Sequence, residues 1–272
     1  MSSSRRRRTV LLTVAAALSA GLLGCAGSPA APPDTATPLP LPTPTASPAT
    51  SAPSPSGTIA YAALGDSLAS GIRGQRSYPD FYADALEQAT GRQVQLRNIG
   101  RSGWTSGQLL AALRSDERFR SAVAQADLVS FNIGGNDLIL AAARAATGTC
   151  GGPDGMRCVR QTVRSHERNW NAIVDELVAL RASPAVPLLT FDIYTPFVPP
   201  GTRADALLEH LDEMNTAIWA SHGRRGVHVG AAERLLEGST ESLLADDGLH
   251  PNAAGHRALA RILLDLPVTP AG

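Results

Sequence analysis

The stretch that decides the architecture of this chain is Ala63-Leu64-Gly65-Asp66-Ser67-Leu68-Ala69-Ser70-Gly71. The apolar residues 58–64 before it predict a short β-strand, and Gly65 allows the backbone to turn sharply without a Cβ clash. Ser67 follows where the strand ends and a helix can begin. In an open α/β fold this places Ser67 at the carboxyl edge of the sheet, where ligands bind. It also places Ser67 at a helix amino end, whose free N–H groups favour negative charge.

Ser67 on its own has an ordinary structural interpretation. A serine that follows Gly-Asp is typical of a turn or of a helix N-cap. The spacing also differs from the G-x-S-x-G turn of α/β-hydrolases, because Ala69 occupies the second glycine position. The hypothesis that Ser67 is a nucleophile therefore depends on what lies downstream.

Residues 1–24 predict an export signal. Arg5–Arg8 are positively charged, and the apolar run 9–24 is shorter than a membrane span. The run ends in Leu22-Leu23-Gly24-Cys25, which resembles a bacterial lipoprotein signal with Cys25 as the lipidated residue. The alternative is a secretory signal that is cleaved nearby, with Cys25 incidental. Residues 7–11 also resemble a twin-arginine export signal.

Residues 26–57 predict a linker. They hold ten of the chain's 20 prolines, mixed with Ala, Ser and Thr, a composition that does not form a packed core. Fully extended at about 3.1 Å per residue, such a segment reaches on the order of 100 Å. We therefore expect the domain to be tethered to the outer face of the cell membrane through Cys25, with a secreted form as the alternative.

The charge balance excludes one class of partner. The chain has 24 basic and 24 acidic residues; without the four arginines of the signal, 20 basic residues remain against 24 acidic ones. This balance does not favour a nucleic-acid surface. We expect a monomer with no nucleic-acid partner.

Cys150 and Cys158 flank a glycine-rich loop. In an exported, oxidising environment this spacing predicts a disulfide that closes the loop, the alternative being two unpaired thiols. A zinc site is disfavoured because no histidine lies near the pair.

Residues 58–267 predict one α/β domain, followed by a short tail, residues 268–272. Apolar runs alternate with helical patterns, which predicts a parallel sheet covered by helices on both faces. The predicted strands are 58–64, 94–99, 127–133, 186–193 and 227–230. The predicted helices are 78–90, 108–126 as one or two helices, 137–146, 159–181, 203–222 and 252–266.

Three further polar turns lie beside predicted strands or helices. Asn98–Thr105 and Asn132–Asp137 follow the second and third strands, and Asp246–Pro251 precedes the last helix. Because the carboxyl ends of parallel strands lie at one edge of a sheet, we expect these turns to converge with the Ser67 turn.

These stretches resemble the SGNH, or GDSL-type, esterase and lipase superfamily. Its four characteristic positions match Ser67, Gly103, Asn136 and His250, in order and across the whole predicted domain. The resemblance implies a flavodoxin-like, three-layer α/β/α sandwich and serine-dependent hydrolysis of carboxylic esters, with no cofactor.

The resemblance also implies roles for these residues. Ser67 is the expected nucleophile and His250 the base that activates it, since imidazole titrates near neutral pH. Asp247 is expected to orient His250, with Asp246 as the rival. The expected oxyanion donors are the backbone N–H groups of Ser67 and Gly103 and the side-chain amide of Asn136.

The substrate is less defined by the sequence. Trp104, Tyr194 and Phe197 are candidate substrate-binding residues; the alternative is that they pack and anchor loops. The expected substrates are acyl or acetyl esters of lipids or envelope glycans. A lysophospholipase or thioesterase with the same site, and a non-catalytic glycan-binding lipoprotein, are the alternatives. Metal-dependent hydrolysis is disfavoured because no His-Glu-x-x-His stretch is present.

Overall fold

The computed structural model describes residues 57–194, 202–236 and 240–271. The predicted signal, Cys25, most of the linker and Phe197 lie outside these residues, so the expectations attached to them stay predictions. Among the described residues, no helix has the length and apolar content needed to cross a bilayer.

Five strands form one parallel sheet in the order β2-β1-β3-β4-β5. The strands are β1 (Thr58–Gly65), β2 (Gln93–Asn98), β3 (Leu128–Asn132), β4 (Leu188–Phe191) and β5 (Val227–Gly230). After β1 the chain crosses to β2 on one side and then returns to β3 on the other. This reversal makes the carboxyl edge between β1 and β3 the switch point at which ligands bind in such sheets.

The described helices pack on both faces of the sheet or close its carboxyl edge, as the expected three-layer architecture requires. The first seven are α1 (Ser67–Ser70), α2 (Tyr78–Thr90), α3 (Ser106–Ser115), α4 (Glu117–Ala124), α5 (Gly135–Ala146), α6 (Arg157–Leu180) and α7 (Thr202–Trp219). They are followed by α8 (Ala232–Leu236), α9 (Thr240–Leu243) and α10 (Ala253–Leu264).

Strand β1 shows why helices cover both faces of the sheet. Ile59, Tyr61 and Ala63 pack on one side against α2 and α10, while Ala62 and Leu64 pack on the other against α3, α4 and α6. Successive side chains of a strand point to opposite faces, so an unbroken apolar strand needs a helical layer on each. The predicted α/β/α sandwich is therefore confirmed.

Helix caps set several element boundaries. The predicted segment 108–126 is two helices, because Asp116 ends α3 and caps α4 by accepting a hydrogen bond from the Arg118 N–H at 2.8 Å. Helix α2 begins after Ser77, which forms a reciprocal capping box with Asp80. The short helices α8 and α9 were not predicted, since one turn shows no helical period.

The predicted disulfide between Cys150 and Cys158 is present. Both cysteines are buried in a small apolar cluster with Ala141, Ala145 and Val159, between α5 and α6. The bridge therefore closes the glycine-rich loop onto the helix that carries Asn136.

Two buried histidines each make a contribution that lowers the free energy of unfolding in acid. His166 and His256 are almost fully buried, and burial lowers the pKa of each from 6.5 to about 4. Both rings are neutral above pH 6.5 in the folded and the unfolded chain. Between pH 6.5 and 4 the unfolded chain binds protons that the folded one does not, so each histidine lowers the free energy of unfolding by up to about 1.4 kcal/mol per pH unit.

Two carboxyls, Asp66 and Asp137, oppose this trend because burial raises the pKa of each. Burial raises the pKa of Asp66 to about 6, so the folded chain takes up one proton between pH 6 and 3.8. The histidine and carboxyl effects partly cancel in the parent protein, so the test is a comparison with His166→Phe, which lacks one histidine contribution. In urea denaturation from pH 6.5 to pH 4, the free energy of unfolding of His166→Phe should fall less steeply than that of the parent, by up to about 1.4 kcal/mol per pH unit; an unchanged slope would contradict the assignment.

Candidate active site

The turn after β1 is shaped by a close approach to β3. Gly65 has φ +132°, and a Cβ there would lie 2.2 Å from the Asn132 carbonyl oxygen. No side chain fits in that space, which explains the glycine before the Asp66-Ser67 pair. Asp66 caps α1 by accepting a hydrogen bond from the Leu68 N–H at 3.0 Å, and Ser67 is the first residue of that helix.

Ser67, His250 and Asp247 form a continuous hydrogen-bonded chain. The distance from Ser67 Oγ to His250 Nε2 is 3.0 Å, and that from His250 Nδ1 to Asp247 Oδ2 is 2.8 Å. Asp247, and not its rival Asp246, makes this bond. The serine and the histidine are 183 residues apart in the chain, so the fold alone brings them together.

The environment of Asp247 defines the state of the imidazole. Asp247 Oδ1 accepts hydrogen bonds from the backbone N–H groups of His250 at 2.9 Å and Leu249 at 3.0 Å. The backbone N–H of His250, followed by its ring, lowers the pKa of the Asp247 carboxyl to about 2. An ionised carboxylate only accepts hydrogen bonds, so His250 Nδ1 carries a proton, and in the neutral form of the ring Nε2 accepts from the Ser67 hydroxyl.

The loop that carries His250 is tied to its surroundings. The Tyr194 hydroxyl donates a 2.6 Å hydrogen bond to the Leu249 carbonyl, and the Ala245 N–H donates to the His250 carbonyl at 2.8 Å. The Asn252 side chain caps α10 and donates to the Leu244 carbonyl at 3.0 Å. Tyr194 thus anchors the loop, one of the two roles predicted for it, and it also lines the neighbouring cavity.

Gly103 and Asn136 lie on the turns that follow β2 and β3, on either side of the carboxyl end of β1. Gly103 adopts φ +80°, and its N–H and that of Ser67 donate to no acceptor among the described residues. The Asn136 amide donates to the Trp104 carbonyl at 2.9 Å and, over a longer 3.4 Å, to Asp66 Oδ2.

Asp137 joins the turns that carry Gly103 and Asn136. Its carboxylate accepts two hydrogen bonds from Ser106, from the N–H at 2.8 Å and from the hydroxyl at 2.6 Å. The Asn169 amide donates to the same hydroxyl at 2.9 Å and so adds α6 to the network. Ser106 is three residues after Gly103 and Asp137 directly follows Asn136, so these bonds hold the two turns at a defined separation.

Sequence reasoning gave no role to Asp66, Asn132 and Asp137. Asp66 is buried, and the Asn132 amide donates to its Oδ1 at 2.6 Å. Burial raises the pKa of Asp66, while the hydrogen bonds from Leu68 and Asn132 partly offset that effect. Asn132 lies at the end of an otherwise apolar strand. Because buried polar groups are normally paired, this position indicates a buried hydrogen-bond partner.

A cavity of about 150 Å³ opens beside the triad, over the carboxyl ends of β1, β3 and β4. Ser67, Asn136 and His250 line one end of this cavity, and its other end lies between α5 and α7. Trp104 lies outside the lining that the described residues form; its ring stacks on Phe119 with the centroids 5.3 Å apart. This position agrees with the packing alternative for Trp104.

The site is built from serine, histidine, carboxylate and amide groups. Within residues 57–194, 202–236 and 240–271, no cluster of three or more His, Cys, Asp or Glu side chains is placed to hold a metal ion. This arrangement can activate a hydroxyl through a neutral imidazole. The neighbouring N–H groups can donate hydrogen bonds to an oxygen that becomes negatively charged.

The structural comparisons agree with this fold. A lipase, Lip_vut3 from a goat rumen metagenome, superimposes with a TM-score of 0.67 at 19% identity, over 77% of this chain and 98% of the lipase. Phospholipase A1 from Streptomyces albidoflavus NA297 gives 0.54 at 21% identity, over 76% and 99% of the two chains. The acetylxylan esterase Axe2 from Geobacillus stearothermophilus gives 0.54 at 18% identity, over 76% and 92%.

The sequence comparisons identify the family. The chain is 25% identical over 219 residues to the uncharacterized protein YpmR of Bacillus subtilis (strain 168). The aligned region covers 75% of this chain and 79% of that protein. The model of the GDSL-like lipase/acylhydrolase family matches residues 63–258, well over half of the chain. The chain therefore belongs to the GDSL-like lipase/acylhydrolase family, whose members hydrolyse ester bonds.

Proposed function

We propose that the protein hydrolyses carboxylic esters through an acyl-enzyme on Ser67. The observation that carries the proposal is the hydrogen-bonded chain from Ser67 Oγ through His250 to Asp247, at 3.0 and 2.8 Å. A nucleophile whose base is held by a third group is the geometry that serine acyl transfer requires.

The reaction proceeds in two halves. Ser67 Oγ attacks the ester carbonyl carbon as its proton passes to His250 Nε2, which gives a tetrahedral intermediate. The carbon–oxygen bond to the alcohol then breaks, and the alcohol leaves with the proton from His250. Water attacks the acyl-enzyme in the same way, His250 again taking and returning a proton, and the carboxylic acid leaves.

Negative charge on the carbonyl oxygen is received by three donors. The N–H groups of Ser67 and Gly103 have no other acceptor among the described residues. Asn136 uses one amide hydrogen for its 2.9 Å bond to the Trp104 carbonyl. The second amide hydrogen makes only the 3.4 Å bond to Asp66 Oδ2, so we assign this hydrogen to the oxyanion.

The proposed substrates are acyl or acetyl esters of lipids or envelope glycans. Solved structures of similar fold include a lipase, a phospholipase A1 and an acetylxylan esterase, so the fold alone does not choose among them. The complete triad favours an enzyme over the non-catalytic glycan-binding alternative.

A fluorophosphonate probe tests this proposal, because it reacts only with a serine that its base activates. We expect one label per folded molecule, mapped to Ser67 by peptide mass analysis, and none after denaturation. Ser70→Ala is the matched control and should label like the parent protein. Absence of label together with no hydrolysis of any p-nitrophenyl ester would support the glycan-binding alternative instead.

A further inference from the structure

The cavity beside the triad changes character along its length. The polar lining groups are gathered at the catalytic end: Asp66, Ser67, Asn132, Asn136, Asp192, Tyr194 and His250. The part between α5 and α7 is lined by aliphatic side chains: Leu138, Ile139, Ala142, Leu207, Leu208 and Leu211. A ligand that fits the part between α5 and α7 is therefore apolar over most of its length.

The polar groups nearest the apolar part are already satisfied within the protein. Asp192 accepts hydrogen bonds from Trp219 Nε1 at 3.0 Å and from the Glu233 N–H at 2.8 Å. The Tyr194 hydroxyl donates to the Leu249 carbonyl at 2.6 Å. A sugar placed between α5 and α7 would lose water from its hydroxyl groups without gaining partners among the described lining residues, which is costly.

The mouth of the cavity is also apolar. Ile139 is 38% exposed and Leu208 is 37% exposed, one on each of the two helices that border the opening. Large apolar side chains exposed around one opening, rather than scattered singly, mark a ligand-binding groove. The opening and the interior are thus suited to the same apolar ligand.

The position of α5 relates this groove to the carbonyl group of the ester. Asn136, the proposed oxyanion donor, lies in the first turn of α5, and the lining residues Ile139 and Ala142 follow at intervals of three on the same face. The leaving oxygen must instead face His250 Nε2, which protonates it. Because the leaving oxygen is held at the His250 end of the cavity, a chain that extends from the carbonyl carbon along α5 fits the acyl side of the ester.

We propose that the groove between α5 and α7 is an acyl-chain subsite that makes the enzyme prefer medium-chain acyl esters to acetyl esters. This inference rests on the proposed function. Ala142 lies about 9 Å along the helix axis from Asn136, at 1.5 Å per residue. It is a small side chain at the far part of the groove and sets the usable chain length.

The experiment compares kcat/KM for p-nitrophenyl acetate, butyrate, hexanoate and octanoate at concentrations where all are monomeric. For the parent protein, each methylene that enters the groove should raise kcat/KM by about fourfold. Ala142→Phe should leave acetate and butyrate within about twofold of the parent value and lower octanoate by at least about tenfold.

Ala143→Phe is the matched control, since Ala143 is the next residue of α5 and is exposed. We expect it to keep the parent profile. A second series, acetate esters of alcohols of increasing chain length, should be unaffected by Ala142→Phe.

Three results would overturn the subsite. They are a parent profile that falls from acetate to octanoate, an equal effect of Ala142→Phe on all acyl esters, and an effect in the alcohol series instead of the acyl series. In each case hydrolysis and Ser67 labelling continue, so the loss of the subsite is distinguishable from failure of the proposed mechanism, in which both are absent.

Discussion

Ser67→Ala and His250→Ala are each expected to lower kcat for a short p-nitrophenyl ester by about 10⁴- to 10⁶-fold. Without the hydroxyl there is no nucleophile for the acyl group. Without the imidazole the Ser67 proton has no acceptor, because Nε2 is 3.0 Å from Oγ and is the partner that this hydroxyl has in the structure. Steady-state kinetics measure the effect, with the active fraction of the parent set by active-site titration and the variant concentrations by absorbance.

The double variant distinguishes a joint mechanism from two separate contributions. If Ser67 and His250 act as a unit, Ser67→Ala with His250→Ala should be no slower than either single variant. A further drop of the double variant would mean that the two side chains contribute independently and would contradict the mechanism. Ser70→Ala should keep the parent kcat, and all variants should keep the parent thermal midpoint.

The layer architecture followed from the sequence because it depends on local pattern. The run 59–64 is apolar, as a strand buried on both faces must be. The segment 78–90 was predicted with its observed ends, and in the structure Ser77 caps the start of this helix and Gly91 ends it. Strand β4 is shorter than predicted, Leu188–Phe191, since apolar content does not show where pairing ends.

The site was predicted in part, and the missing part has one physical cause. Ser67, Gly103, Asn136 and His250 stand in stretches whose composition already indicates turns. The bonds that position them, such as that from Asn132 to Asp66, join residues 66 positions apart. A lone polar residue shows no partner in its own sequence neighbourhood, so such pairs emerge only from the fold.

The role of Trp104 illustrates the same limit. Its place beside Gly103 favoured contact with substrate and packing equally, and the choice depended on whether an aromatic ring lay opposite. Phe119, fifteen positions on in α4, provides that ring. What Trp104 contributes to the site is its backbone carbonyl, which accepts from Asn136.

Asn136→Ala is expected to lower kcat by about 10²- to 10³-fold while leaving KM within about threefold, since an oxyanion donor acts mainly in the transition state and is worth about 2.7–4 kcal/mol. The same ester and the same active-site titration measure it. Asn171→Ala, an exposed asparagine on α6, is the control and should have no effect.

Asn136 also holds the Trp104 carbonyl, so the variant must separate catalysis from support of the turn. If support were its main role, loss of the 2.9 Å bond would displace the turn that carries Gly103, raise KM and lower the thermal midpoint. We expect neither, because Asp137 continues to bind the Ser106 N–H and hydroxyl at 2.8 and 2.6 Å and keeps the two turns together. A drop in kcat with unchanged KM and midpoint therefore assigns Asn136 to the oxyanion, and a parallel change of all three would assign it to the turn.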